Sequence, residues 1–306
     1  MSGHFTALST EKLNQIVTEA KDLTSKGKLP EYIPLLANFN TNSIAAQILT
    51  VEGENYAAGD VKLSFPLMSA IKPFLLLYLL SLFGSELVLK KVGREPSMES
   101  FNSLNQLKAD GGWPRNPMIN SGAITLASLL PGENPFSRCE NFCNWLNFYA
   151  NCHLFLDKNM LASVESLPNQ NNKAIASLLR KNNYLQEEET ITLDTYNHIC
   201  CLSGNIVDVA RLAMLLVQSP PPILKEHSHT VITIMQTCGL YQTSAKFAVE
   251  VGLSTKSGVS GVVFSVIPNI GAIACYSPPL DSEGHSLAGL FIIKQLAQHL
   301  KYGQGA

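Results

Sequence analysis

Charge is scarce in this chain, and none of it is gathered. Acidic and basic residues together make up 15% of 306 residues, they are interspersed with no long run of one sign, and the formal net charge is -2. That leaves no electrostatic footprint for nucleic acid or for an acidic membrane surface. The expected partner is a small molecule. Paired-cysteine motifs are also missing. The seven cysteines, an odd number, fall at Cys139, Cys143, Cys152, Cys200, Cys201, Cys238 and Cys275 with no Cys-x-x-Cys spacing, which fits buried reduced thiols better than a disulfide frame or a zinc site. The seven histidines are scattered, so no metal cluster is expected and no cofactor is called for. At the opening, Met1-Ser2-Gly3-His4-Phe5-Thr6 shows no basic region followed by an apolar stretch, so no secretory leader is expected and the cytoplasm is. The apolar run at 73–85 stops at Glu86, short of the roughly 18 residues that a bilayer span needs, and reads as a core helix.

What the chain does have is apolar bulk. With 46% hydrophobic residues it can bury a sizeable core as one large domain or two closely joined lobes. At the head of its most apolar stretch stands Ser69-x-x-Lys72-Pro73. In a helical turn, positions i and i+3 share a face, so the hydroxyl and the amine point the same way, and Pro73 fits only in a first turn. Desolvation beside residues 74–83 disfavours the ammonium form, and a neutral lysine can take a proton from a serine nucleophile. The bland alternative is a capping serine and a lysine that reaches out to water. Ser9/Lys12 and Ser25/Lys28 repeat the spacing in a charge-studded segment, where it is noise.

In order, the periodicity predicts a helix over 8–25 capped by Ser9, with Gly27 as its stop, and a stiff Pro30-Glu31-Tyr32-Ile33-Pro34 connector. A hairpin follows over 44–59, then the Ser69 helix, then a long turn-rich stretch at 92–122. Asn120-Ser121 reads as a cap for a helix at 123–130, and Asn172 as another for one at 174–185. Further helices are expected at 136–154, from Asp194 to Cys201, at 204–216 and at 231–238, with Tyr241 in a short polar connection. Lys256-Ser257-Gly258-Val259-Ser260-Gly261 reads as a glycine-rich turn before a hairpin over 262–276, and a last helix covers 286–300. Glu165, taken alone, is an ordinary exposed acid.

The order of Ser69-x-x-Lys72 and the late Lys256-Ser257-Gly258 resembles the serine β-lactamase and penicillin-binding fold. The segments Tyr32-Ile-Pro, Ser69-x-x-Lys72-Pro73, Val92-Gly-Arg-Glu-Pro-Ser97, Asn116-Pro-Met-Ile-Asn-Ser-Gly-Ala-Ile124, Cys238-Gly-Leu-Tyr241 and Lys256-Ser-Gly-Val-Ser-Gly261 resemble the serine-dependent glutaminases, from about Tyr32 to Pro279. With no ankyrin repeats and no long N-terminal extension, the chain is similar to the short bacterial type.

That resemblance implies an α/β (α+β) fold, an antiparallel sheet flanked by terminal helices plus a helical subdomain. It places an α/β lobe at about 1–68 and 225–306 and a helical lobe at about 69–224, in a single catalytic domain over 1–306. It implies hydrolysis of L-glutamine to L-glutamate and ammonia by a Ser69 acyl-enzyme, with Lys72 as base. Tyr241 matches the proton-shuttling tyrosine and Tyr196 a second one, and the backbone N–H groups of Ser69 and Val259 would form the oxyanion hole. Glu165 matches the carboxylate that holds the substrate ammonium, while Asn120, Asn172, Tyr196 and Tyr32 match groups around its carboxylate and amide. A homodimer or homotetramer is implied as well. Departures occur where Val164 precedes Glu165 in place of serine, where Asn171 precedes Asn172 in place of a loop-bracing arginine, and at Ser203-Gly204-Asn205 in place of a more acidic pattern. Two rival functions remain at this point: a β-lactamase, transpeptidase or esterase on the same fold, and a catalytically silent amino-acid sensor, which would be expected to have lost Ser69, Lys72 or Tyr241.

Overall fold

The computed structural model describes residues 8–300; the opening Met1 to Thr6, in which no leader is expected, lies outside the described residues. The predicted ends of the chain hold. Ser9 caps α1 (Thr10–Lys21) by accepting from the Lys12 N–H, and Ser286 caps α12 (Leu287–His299) by accepting from the Gly289 N–H. Each spends a hydroxyl on an otherwise orphaned helix N–H. The hairpin β1 (Ala45–Thr50) and β2 (Asn55–Gly59) joins β6 (Ser254–Ser257), β7 (Val262–Ile267) and β8 (Gly271–Tyr276) in one antiparallel sheet, ordered β2-β1-β8-β7-β6. The first and last segments of the chain thus share a sheet, as the resemblance implies.

The two-residue strand period divides the core in two. Val263, Ile267, Ile273 and Cys275 face α1 and α12, together with Ile44, Ala46 and Ile48. On the opposite face Val262, Phe264, Val266, Ala272, Ala274 and Tyr276 meet the helices that fill the middle of the chain. Those helices are α2 (Lys72–Leu89), α3 (Leu104–Ala109), α4 (Asn120–Ala127), α5 (Pro135–Ala150), α6 (Lys158–Glu165), α7 (Gln170–Lys181), α8 (Glu189–Cys200), α9 (Ile206–Gln218) and α10 (Lys225–Cys238), while α11 (Ser244–Val251) turns Phe247 and Val251 to the α1 and α12 side.

The helix α2 links the two layers. Phe74 stacks on Phe264 of the sheet, ring centroids 5.3 Å apart, and Tyr78 packs on Phe142 and Trp145 of α5. With its preceding turn it forms a 22-residue segment, Met68–Leu89, that by length and composition alone is long and apolar enough to cross a membrane. The apolar run is therefore longer than the 73–85 expectation. Most of it is buried inside the fold, and Gly84 breaks the helical geometry at φ +76°, so it is a core helix. Helix ends moved elsewhere too. The helix predicted from Asp194 begins at Glu189, the one predicted from 231 begins at Lys225, and Gly204 belongs to a strand. That strand, β5 (Leu202–Gly204), lies between β3 (Phe65–Pro66) and β4 (Phe155–Leu156) in a small second sheet.

Candidate active site

Ser69 sits in a single tight turn, Met68–Ile71, that leads directly into α2. Lys72 begins the helix, and its backbone N–H donates to the Ser69 carbonyl, so the two side chains lie one turn apart. Met68 is held at φ +48°, a conformation that costs a residue with a Cβ about 1 kcal/mol or more. The Lys72 side chain is fully buried. Its Nζ donates to the Met118 carbonyl at 3.2 Å and to Asn120 Oδ1 at 2.9 Å, and burial pulls its pKa down to about 8 against the pull of nearby Cys200. A neutral amine has two N–H groups, and two acceptors take both, which leaves its lone pair unspent.

Both predicted asparagine caps give way to a different arrangement. The cap of α4 is Ile119, and Asn120 is its first helical residue. The cap of α7 is Asn169, whose side chain accepts from the Asn172 N–H. The two amides meet each other instead: Asn120 Nδ2 donates to Asn172 Oδ1 at 3.0 Å, while Asn120 Oδ1 accepts from the Tyr196 hydroxyl at 3.2 Å as well as from Lys72. All four side chains are buried. The Asn116-Pro117 turn sets up this geometry, since Asn116 Oδ1 accepts from the N–H groups of Met118 and Ile119. Gly122 lets α4 lie on the Asn116 carbonyl, where a Cβ would stand 1.9 Å from its oxygen.

Tyr241 comes from the other side. It lies in the turn Tyr241–Thr243, at φ +54°, and its buried phenol lies close enough to the Ser69 side chain for the serine to oppose the upward push of burial on its pKa. Lys256 Nζ donates to the Tyr241 hydroxyl at 3.3 Å and to the Ser257 carbonyl at 2.6 Å, and lies 4.5 Å from the centre of the tyrosine ring. Burial first, and the Lys72 charge second, hold Lys256 well below the usual lysine range. Burial pushes Tyr241 and Tyr196 upward, so both remain phenols at neutral pH. Lys256 is the site residue missing from the predicted set. Its Lys-Ser-Gly motif is visible in the sequence, but reading it as a turn hid that Lys256 is on β6, pointing at a tyrosine. Cys200, buried between Lys72, Tyr196 and Lys256, carries no local signal at all.

The remaining predicted residues lie at the margins. Gly258 packs so closely on the Ser69 turn that a Cβ would stand 2.4 Å from the Leu67 carbonyl oxygen, which brings the Val259 backbone beside that turn. Among the described residues, no backbone carbonyl accepts from the Ser69 or Val259 N–H. Tyr32 is 58% exposed, yet close enough for its phenol to push Tyr196 and Tyr241 further up. Glu165 is the exposed last residue of α6 and does not join the amide network. Ser163 of the same helix accepts from the Leu35 N–H at 2.9 Å, tying α6 to the Tyr32 connector. Where the resemblance has an arginine, Asn171 Nδ2 donates to the Asn102 carbonyl at 2.6 Å and braces the start of α7.

Residues 27–303 match the glutaminase family model. A glutaminase from Synechocystis sp. is 44% identical to this chain over 96% of it and 90% of that relative. Among solved structures, the probable glutaminase ybaS superposes with a TM-score of 0.89 at 32% identity, covering 97% of this chain and all of that one. A covalent complex of the Bacillus subtilis glutaminase YbgJ with 5-oxo-L-norleucine, formed by reaction with 6-diazo-5-oxo-L-norleucine, gives a TM-score of 0.87 at 27% identity over 97% of this chain and 99% of the other.

Proposed function

This chain belongs to the glutaminase family and hydrolyses L-glutamine, and we propose that it does so through an ester formed on Ser69. The Ser69 oxygen attacks the side-chain amide carbon, and its proton passes to the neutral Lys72 amine, or to the Tyr241 oxygen as the phenol hands its own proton to the neutral Lys256 amine. The proton then goes to the amide nitrogen, which leaves as ammonia, and water attacks the ester by the same route in reverse to give L-glutamate. The observation that carries this reading is the Tyr241 phenol set beside Ser69 and hydrogen-bonded to desolvated Lys256, with a second desolvated lysine one turn from the serine. Three groups of shifted proton affinity around one hydroxyl suit proton transfer near neutral pH.

The unspent N–H groups of Ser69 and Val259 receive the oxyanion; such a donor has been worth about 3 kcal/mol elsewhere. Glu165 takes the substrate ammonium, and Asn120, Asn172, Tyr196 and Tyr32 surround its carboxylate and amide. The covalent product formed by the Bacillus relative with a diazo ketone supports a nucleophile in the family. The protein acts in the cytoplasm as a homodimer or homotetramer. Ammonia release from L-glutamine by the protein and by Ser69→Ala, with L-asparagine and a chromogenic β-lactam alongside, tests the reading. Turnover of glutamine alone, lost in the variant, is expected. Cleavage of the β-lactam, or full activity without the Ser69 hydroxyl, would sink it.

A further inference from the structure

Behind Tyr241, the loop between β8 and α12 grips the turn that carries the tyrosine. The loop is closed on itself: Asp281 Oδ1 accepts from the N–H groups of Glu283 and His285 at 2.9 Å each, and the Asp281 N–H donates to the His285 carbonyl at 2.8 Å. Two of its side chains reach the turn. The Glu283 carboxylate accepts from Gln242 Nε2, and His285 Nε2 lies 3.1 Å from Thr243 Oγ1. On its other edge, His285 Nδ1 is 2.8 Å from Ser257 Oγ, in the residue whose carbonyl holds Lys256. The imidazole is buried and stacks on the Tyr241 ring, centroids 5.7 Å apart and planes 24° from parallel.

The hydrogen bonds fix the tautomer. Thr243 Oγ1 spends its only hydrogen on the Leu240 carbonyl at 2.7 Å, so toward His285 it is an acceptor and Nε2 carries the hydrogen. Nδ1 is then bare and accepts from the Ser257 hydroxyl. Burial, with the Lys256 charge adding to it and Asp281 opposing it, draws the imidazole down to about 4, so this pattern persists across the neutral range. A tyrosine at φ +54° needs such support, because left-handed backbone at a bulky residue survives only where its surroundings over-determine it.

We propose that His285 is a positioning residue for Tyr241: by bridging Thr243 and Ser257 and lying against the ring, it ties the 241–243 turn to β6 and keeps the phenol between Ser69 and Lys256. The proposal rests on the role given to Tyr241 above. It is tested with His285→Ala, His285→Gln, Thr243→Val, Tyr241→Phe and the double variant of His285→Ala with Tyr241→Phe, by glutamine turnover and thermal melting. His285→Ala is expected to lower kcat at least 10-fold with KM changed less than 2-fold. Thr243→Val, which keeps shape and removes the acceptor, is expected to lower kcat in the same direction. His285→Gln, whose amide N–H can reach Thr243, is expected to recover a third or more of kcat. The double variant is expected to be no slower than Tyr241→Phe alone, since two residues acting through one group are not additive. A multiplicative loss in the double variant, or a Gln variant no better than Ala while melting alike, would overturn the positioning role with Tyr241 intact. If Tyr241→Phe keeps wild-type kcat, both readings fall. Should His285→Ala not fold, the Gln and Thr243→Val variants decide.

Discussion

Lys72 offers the sharpest test of how the site is built, because its burial works against folding. A lysine at about 8 in the fold against an ordinary 10.5 amounts, at 1.36 kcal/mol per tenfold change in proton affinity, to about 3 kcal/mol opposing the folded state near neutral pH. The sign follows from proton binding. Between pH 8 and 10.5 the unfolded lysine holds a proton that the folded one has released, so stability rises with pH through that window. From pH 7 to pH 10 the gain is about 2–3 kcal/mol, most of the total. In Lys72→Met this source of slope is gone. Its stability at pH 7 is the resultant of that relief and of acceptors left short at Met118 and Asn120, each costing about 1–3 kcal/mol, so the slope and not the level is the test. Urea unfolding of both proteins at pH 7 and pH 10 should show their stability difference moving by about 2–3 kcal/mol in favour of the wild type at high pH. A difference that moves by less than about 0.5 kcal/mol would refute the desolvation argument. The same group sets an acid limb: kcat/KM should rise with pH through about 8 as the amine becomes neutral.

Three more perturbations separate positioning from chemistry. Gly258→Ala drives a Cβ onto the Leu67 carbonyl and should cut kcat about 100-fold or more by pushing the two N–H donors apart, with the melting temperature reporting any wider damage. Asn120→Ala removes an acceptor from both Lys72 and Tyr196; glutamine turnover should fall about 100-fold, with stability lower by about 2–3 kcal/mol in urea unfolding. Asn171→Ala frees the start of α7 from Asn102 and should raise KM about 3- to 10-fold while kcat stays within 2-fold in the ammonia assay, the signature of lost ground-state binding.

What could be read in the sequence is what local chemistry encodes. Ser69 and Lys72 announce themselves because three residues of spacing and an apolar flank suffice, and the sheet appears because β-branched runs alternate over 262–276. Asn120 and Asn172 show the limit. A short amide near a helix start satisfies the capping pattern, and only the fold shows each turned toward a partner 52 positions away in the sequence. β3, β4 and β5, two or three residues each, fall below any periodic signal. α11 went unread because Ser244, Lys246 and Glu250 break the look of an apolar stripe. Lys256, Thr243 and His285 come together from three segments whose juxtaposition exists only after the sheet has formed.

The composition of α2 has a consequence for the protein before it is folded. A stretch of 22 residues, Met68–Leu89, with the hydropathy of a membrane span is harmless only once α4, α5 and α10 have packed around it and Phe264 of β7 has closed on Phe74. α4 and α5 follow it directly, but α10 and β7 come more than 130 residues later, so during synthesis it waits partly uncovered. Such a segment pairs with other copies of itself at a rate set by concentration. Refolding yield should therefore fall steeply as protein concentration rises, and a polar residue at the already exposed Leu82 or Leu87 should restore much of it without touching turnover.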